Sequence, residues 1–226
     1  METTFKALIA KHSDDLAAIG APGRSWLTYG GLRTLSASVK SQLNAAGVGR
    51  GDRVAIVLPN GPEMASAFIT IAQTCTTAPL NPSYREDEYA FYLNDLNPKA
   101  IVLAAGYNGP ALPAAKAAGL TILRLSHDAS DPAGIFLLST DATGDANTED
   151  PQPEDVALIL HTSGTTSRPK IVPLLQSNVA ASAANIATSL ALTPEDRCMN
   201  VMPLFHIHGL IAAVSATLKA GGQVWC

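Results

Sequence analysis

Short runs of branched aliphatic residues, each followed by a segment of helical period, constrain this chain more than any other feature. Residues 54–58 read VAIVL, 101–103 IVL, 121–125 TILRL and 156–161 VALILH. Runs of this length without polar alternation suit strands buried on both faces. Between them lie helix signals. Thr28 is a good N-cap, Leu32, Leu35, Val39 and Leu43 repeat every three or four residues, and Gly47 stands where a helix ends. Asn60 and Pro62 open a helix that runs to about Cys75, and Ser83 with Glu86 forms a capping box for one ending near Leu96. Residues 113–118 read as a weak helix, and an amphipathic helix is expected from Phe5 through Leu16. Short strands are expected at 26–27 and 78–81. Strand–helix alternation of this kind indicates the α/β class, a mainly parallel sheet with right-handed crossovers placing helices on both faces.

The pattern breaks between residues 126 and 155. Asp128, Asp131, Asp141, Asp145, Asp150, Pro132, Pro151 and Pro153 mark a loop-rich connection there. It divides the chain into a first α/β unit, 1–155, and the start of a second, 156–226.

Composition narrows the class. Hydrophobic residues make up 47% of the 226 and charged residues 15%, where about 25% charged is usual. Such a chain is globular, with either a large buried core or a surface that some partner covers. The net charge is −4 and there is no Lys/Arg run, which argues against nucleic acid or an anionic membrane as partner. The three cysteines, Cys75, Cys198 and Cys226, show no CxxC spacing. That argues against a disulfide framework or a zinc site, and for a reducing, cytoplasmic compartment. Residues 64–84, 171–194 and 198–218 are uncharged and long enough to span a bilayer. Each is broken by Pro, Asn, Gln or His, so none reads as a membrane span. The first 15 residues lack the apolar stretch of a secretory signal.

The chemistry gathers at residues 161–170, HTSGTTSRPK. A buried strand runs directly into hydroxyls grouped around Gly164, and Lys170 closes the loop. Such a loop suits polyphosphate: Gly164 lets the backbone approach an anion, backbone N–H groups and the hydroxyls of Thr162, Ser163, Thr165, Thr166 and Ser167 donate, and Lys170 adds positive charge. The alternative is a polar surface loop leading into Pro169. The Walker A pattern fails, because Pro169 replaces its second Gly and Ile171 its Mg²⁺-binding Ser/Thr.

This segment resembles the phosphate-binding signature of the adenylate-forming enzymes, the acyl-CoA synthetase and luciferase-like superfamily, with Ser167 and Ile171 in place of two family glycines. A second stretch, residues 202–210 (MPLFHIHGL), resembles the family's Pro-Leu-Phe-His motif. Residues 27–29, 47–57 and 79–82 fit as well, so the similarity spans nearly the whole chain. Within the family, the loop and the His-x-His-Gly-Leu stretch are most similar to the oxalate–CoA ligase branch. The resemblance implies activation of a small carboxylic acid by ATP and Mg²⁺ to an acyl-adenylate, followed by transfer to coenzyme A. It implies that Thr162, Ser163, Gly164, Thr165, Thr166 and Lys170 hold the β- and γ-phosphates, with Ser167 as an added donor. Arg168 stands at a variable position without an implied role. The resemblance implies that His206 is the catalytic gate residue, blocking the CoA path during adenylation and touching the substrate carboxylate.

Three readings of His208 stay open: a substrate contact, a core or helix-start residue, or, with His206, half of a metal site if the two lie on one strand. His161 reads as structural, His12 and His127 as surface residues, and Cys198 as a small core residue without a nearby partner. The family's acidic Mg²⁺ site, ribose-binding Asp, hinge and catalytic Lys fall downstream of the Pro-Leu-Phe-His motif. Residues 222–226 read as the start of a further strand. The expectation is therefore an incomplete N-terminal portion of the family fold, inactive alone, whose uncharged surface faces a missing C-terminal part of the same chain. Exposed apolar area and self-association of the piece follow from that. A fatty or aryl acid is the alternative substrate, and a non-catalytic nucleotide-binding module the alternative class. A Ser-Lys-Leu-type C-terminus would send the protein to peroxisomes.

Overall fold

The computed structural model describes residues 3–162 and 169–226. The first half runs α1 (Phe5–Ile9), β1 (Ala17–Gly20), β2 (Leu27–Thr28), α2 (Tyr29–Ala45), β3 (Arg53–Val57), α3 (Pro62–Ile71), β4 (Thr76–Pro79), α4 (Glu86–Leu96) and β5 (Ala100–Ala104). It continues with α5 (Ala111–Ala117), β6 (Thr121–Ser126), β7 (Leu137–Ser139), β8 (Val156–Thr162), β9 (Lys170–Leu175), α6 (Gln176–Ser189) and β10 (Arg197–Met199). A π-helical segment, His208–Ser215, passes into α7 (Ala216–Lys219), and β11 (Gln223–Trp225) follows.

Seven strands form one sheet in the order β7-β6-β5-β3-β4-β8-β9. The five inner strands are parallel, while β7 and β9 pair antiparallel at the two edges. Alternation along β3 shows how the layers form. Val54 and Ile56 join a core with Leu32, Leu35, Val39 and Leu43 of α2, Phe68 of α3 and Val179 of α6. Ala55 and Val57 face the opposite way, toward Tyr89, Leu93 and Leu96 of α4 and Ala114 of α5. Helices thus cover both faces, as the apolar strands require. A second sheet, in the order β10-β11-β1-β2, lies beside the first. Both sheets take strands from either side of the 126–155 connection, since β8 pairs with β4 and β11 with β1.

That connection is docked rather than loose. Arg50 donates to Asp155 at 2.6 Å and to Glu149 at 2.8 Å, and its amide donates to the Asn147 carbonyl at 2.9 Å. A Cβ on Gly49 would overlap that same carbonyl, so glycine permits the close approach. Asp150 accepts from both Lys6 and Lys40 at 2.6 Å.

Several local expectations need correction. The opening helix stops at Ile9; Ala17–Gly20, just past Leu16, is a strand buried against β11. Thr28 does cap α2, accepting from the Gly31 amide at 3.1 Å. The α4 cap forms two residues later than expected and is half a box: Glu88 accepts from the Arg85 amide at 2.9 Å, while Arg85, a donor only, returns no bond, and the Ser83 amide donates to Asn81 Oδ1. Ser83 is engaged in an Asx turn and leaves the capping role to the next turn of chain. The cap of α3 is Gly61, and the Asn60 side chain points elsewhere. Residues 137–139, inside the loop-rich connection, form the edge strand β7. His12 is not a simple surface residue, because its ring lies 4.7 Å from that of buried Tyr29.

Candidate active site

The C-terminal end of β8 delivers His161 and Thr162 to one side of a cleft of about 420 Å³. Three walls meet there. The first follows β4: Leu80, Asn81 and Tyr84. The second is the β8–β9 hairpin, with Thr162 paired in register with Lys170 at the end where the two strands are joined. The third is Phe205, His206 and Ile207, from the loop before the π-helical segment. Ligands of open parallel sheets sit outside the carboxyl ends of the strands, which is where this cleft lies.

Aromatic packing stiffens the first wall. Tyr84 stacks on Tyr92 at 4.6 Å with 11° between ring planes, and Tyr92 meets the edge of His161 at 4.6 Å. Burial is the main cause pushing the phenols of Tyr84 and Tyr89 far above their ordinary value, so both stay neutral. His161 Nε2 lies 3.0 Å from Asp95 Oδ2, and the imidazole is 6% exposed. A carboxylate only accepts, so Nε2–H donates and the ring is held in one orientation. His161 is a fixed wall, as its place at the strand end suggested. Spacing alone did not reveal Asp95 as its partner, since 66 residues separate the two.

His206 sits exposed at the cleft mouth, beside the Phe205 ring at 5.7 Å. Buried Leu204 anchors the loop below it. His208 goes elsewhere. It begins the π-helical segment and lines a separate apolar cavity of about 560 Å³, with Leu190, Cys198, Met199 and Val201. The two histidines therefore do not share one strand face. Among the described residues no group of three His, Cys, Asp or Glu could hold a metal ion. Ser163, Gly164, Thr165, Thr166 and Ser167, together with Arg168, lie outside the described residues.

Cys198 also departs from expectation. It is only half-buried and pairs in register with Val224, which places it on the same sheet face as Cys226. Burial, and secondarily the nearness of Cys198, pushes the Cys226 thiol up to about 12. Neither feature follows from a search for CxxC spacing.

Residues 5–226 match the AMP-binding enzyme family. The chain belongs to that family. Within it, the chain is 39% identical over 225 residues to an oxalate–CoA ligase of Arabidopsis thaliana, covering 96% of this chain and 43% of the relative. It is 38% identical to an oxalate–CoA ligase of Saccharomyces cerevisiae, covering 94% of this chain and 45% of the relative. A sulfoacetate–CoA ligase of Cupriavidus necator is 32% identical, over 88% of this chain and 39% of that one. ATP-bound MatB from Rhodopseudomonas palustris superposes with a TM-score of 0.83 at 26% identity, covering all of this chain and 45% of that one. The chain thus spans less than half the length of the curated AMP-binding relatives it matches, and its mixed, mostly parallel sheet is the fold of their solved counterparts. Among the described residues no helix is long and apolar enough to cross a membrane.

Proposed function

We propose that the full-length protein is an ATP-dependent carboxylate–CoA ligase working through an acyl-adenylate, with oxalate as its acid. One observation carries this reading: a single cleft joins Thr162, at the start of the hydroxyl-rich loop, to His206 of the Pro-Leu-Phe-His motif. The two motifs lie 44 residues apart in sequence and share a substrate-sized space. Identity to two oxalate–CoA ligases favours oxalate over a fatty or aryl acid.

In the first step a carboxylate oxygen attacks the α-phosphorus of ATP and diphosphate leaves. In the second the CoA thiol attacks the acyl carbon and AMP leaves. The residues assigned to the diphosphate are Thr162, Ser163, Gly164, Thr165, Thr166, Ser167 and Lys170. Their work is to hold and neutralise a leaving group, which is positioning and charge stabilisation rather than covalent catalysis. His206 guards the cleft mouth and contacts the acid. His208, in the apolar cavity, takes no substrate role in this reading and serves as a helix-start residue. The Mg²⁺ that accompanies ATP has no ligand set among the described residues.

The low charge fits the same proposal. Leu190, Met199 and Val201 are 65%, 68% and 77% exposed around the second cavity. We assign that apolar face to the rest of the chain, so the 226-residue piece alone is inactive and prone to self-association. Residues 1–155 and 156–226 are taken as the first unit and the beginning of the second, in a cytoplasmic protein or, with a C-terminal address, a peroxisomal one.

The test is ATP–diphosphate exchange by the full-length protein against a panel of oxalate, sulfoacetate, a fatty acid and an aryl acid. Exchange driven by oxalate above the others is expected. Exchange driven only by another acid overturns oxalate, and exchange with none supports a non-catalytic nucleotide-binding module.

A further inference from the structure

One side chain reaches from the seven-stranded sheet to the loop that carries His206. Asn60 follows β3 and precedes α3. Its Oδ1 accepts from the Leu204 amide at 2.8 Å, and its Nδ2 donates to the Met202 carbonyl at 3.2 Å. Exchanging the amide oxygen and nitrogen would set donor against donor and acceptor against acceptor, so this orientation is the one the contacts allow. The grip spans 144 residues of sequence and joins two elements that share no strand pairing.

The same loop is held from its other side. Asn200 Nδ2 donates to the Met202 carbonyl at 3.0 Å, and Asn200 Oδ1 accepts from the Met202 amide at 3.3 Å. Leu204 is fully buried, and a Cβ on Gly209 would come within 2.6 Å of the Pro203 carbonyl oxygen. The 202–204 backbone is thus clamped, while His206 and Ile207 project beyond it into solvent at the cleft. Asn60 is not among the described residues that line the cleft, and its hydrogen bonds go to the 202–204 backbone, so its path to the cleft runs through the loop.

We propose that Asn60 is a positioning residue for His206: its side-chain amide sets the 202–204 backbone and thereby the place of His206 at the cleft mouth. This rests on the reading of His206 as gate, and the test separates the two. In the full-length protein, Asn60→Ala, Asn60→Asp, His206→Ala and the double variant Asn60→Ala/His206→Ala are compared in two assays: ATP–diphosphate exchange for the first step and acyl-CoA release for the second. Circular dichroism and the thermal midpoint report folding. A residue that acts through His206 loses its effect once His206 is gone. Asn60→Ala is expected to slow acyl-CoA release about tenfold while exchange changes less than about threefold, and to add nothing in the His206→Ala background. Asn60→Asp keeps the acceptor for the Leu204 amide and is expected to recover part of the loss, which keeps the test usable if the alanine variant folds poorly. If His206→Ala is impaired while Asn60→Ala matches the unmutated protein, or adds its full loss to the double variant, the positioning role is overturned and the gate reading stands. If His206→Ala leaves both steps unchanged, both readings fall.

Discussion

Gln176 offers the sharpest test of how the site's scaffold is held. It is the first residue of α6, directly after the β9 strand that carries Lys170, and it is 1% exposed. Its Oε1 accepts from the Phe5 amide at 3.0 Å, and its Nε2 donates to the Ala72 carbonyl at 2.6 Å. The Phe5 amide opens α1 and the Ala72 carbonyl closes α3, so each belongs to a helix end without an intrahelical partner. Gln176→Leu keeps the volume and strands both groups. A buried group left without its partner costs about 1–3 kcal/mol, so the pair costs ~2–6 kcal/mol. Apolar burial of the new Leu offsets about 1–2 kcal/mol of that, leaving ~2.5 kcal/mol at the middle of the two ranges. With a urea slope of about 2–3 kcal/mol per molar for a chain of this size, the unfolding midpoint falls by roughly 1 M. Urea unfolding of the 226-residue chain measures it, and hydrogen exchange at the Phe5 amide locates it. A midpoint within about 0.2 M of the unmutated chain, with the Phe5 amide still protected, refutes the argument that this side chain joins α1, α3 and α6.

Three further outcomes are expected. In the full-length protein, Lys170→Ala slows ATP–diphosphate exchange by about 10–100-fold, the worth of one charge-assisted contact, with an unchanged circular dichroism spectrum; unchanged exchange removes Lys170 from the phosphate site. Val201→Cys, with labelling of the unmutated chain subtracted for Cys198, reacts readily with a thiol reagent in the 226-residue chain at dilutions where it is monomeric and is protected in the full-length protein; equal labelling in both contradicts the assignment of the apolar face to the rest of the chain. Hydrogen bonds from Lys40, and then Lys6, hold the Asp150 carboxyl below its ordinary value. A carboxyl depressed in the folded state stabilises above its unfolded pKa of about 3.9 and loses that contribution as the pH falls below it. Asp150→Asn should therefore flatten the acid limb of the stability profile below about pH 4, and leave the limb above pH 6 parallel to that of the unmutated chain.

Where the sequence read correctly, the signal and its partner were close together. The Thr28 cap lies three residues from the Gly31 amide it satisfies. The aliphatic run of β3 is buried on both faces because neighbouring strands and helices of the same period surround it. The strand before the hydroxyl-rich loop was legible from its aliphatic run, and β8 ends at Thr162. Where the sequence misled, two local solutions competed or the partner was remote. Asn60 and Ser83 are both good helix starters, and each was drawn away by another hydrogen bond. The strands β1, β7 and β10 are three or four residues long, too short for a periodicity of their own, and exist because β11, β6 and β11 pair with them.

By itself, then, the order of residues determined the α/β class, the inner strands and the main helices, because each depends on spacing within about one element, while the family came from motifs spread along nearly the whole chain. Only the tertiary structure decided that His206 and Thr162 share a cleft while His208 faces another cavity, that Asp95 holds His161, and that Asn60 grips the 202–204 backbone. Those facts depend on which strands become neighbours, and a hydrogen bond across 60 to 150 residues leaves no period in the sequence to read.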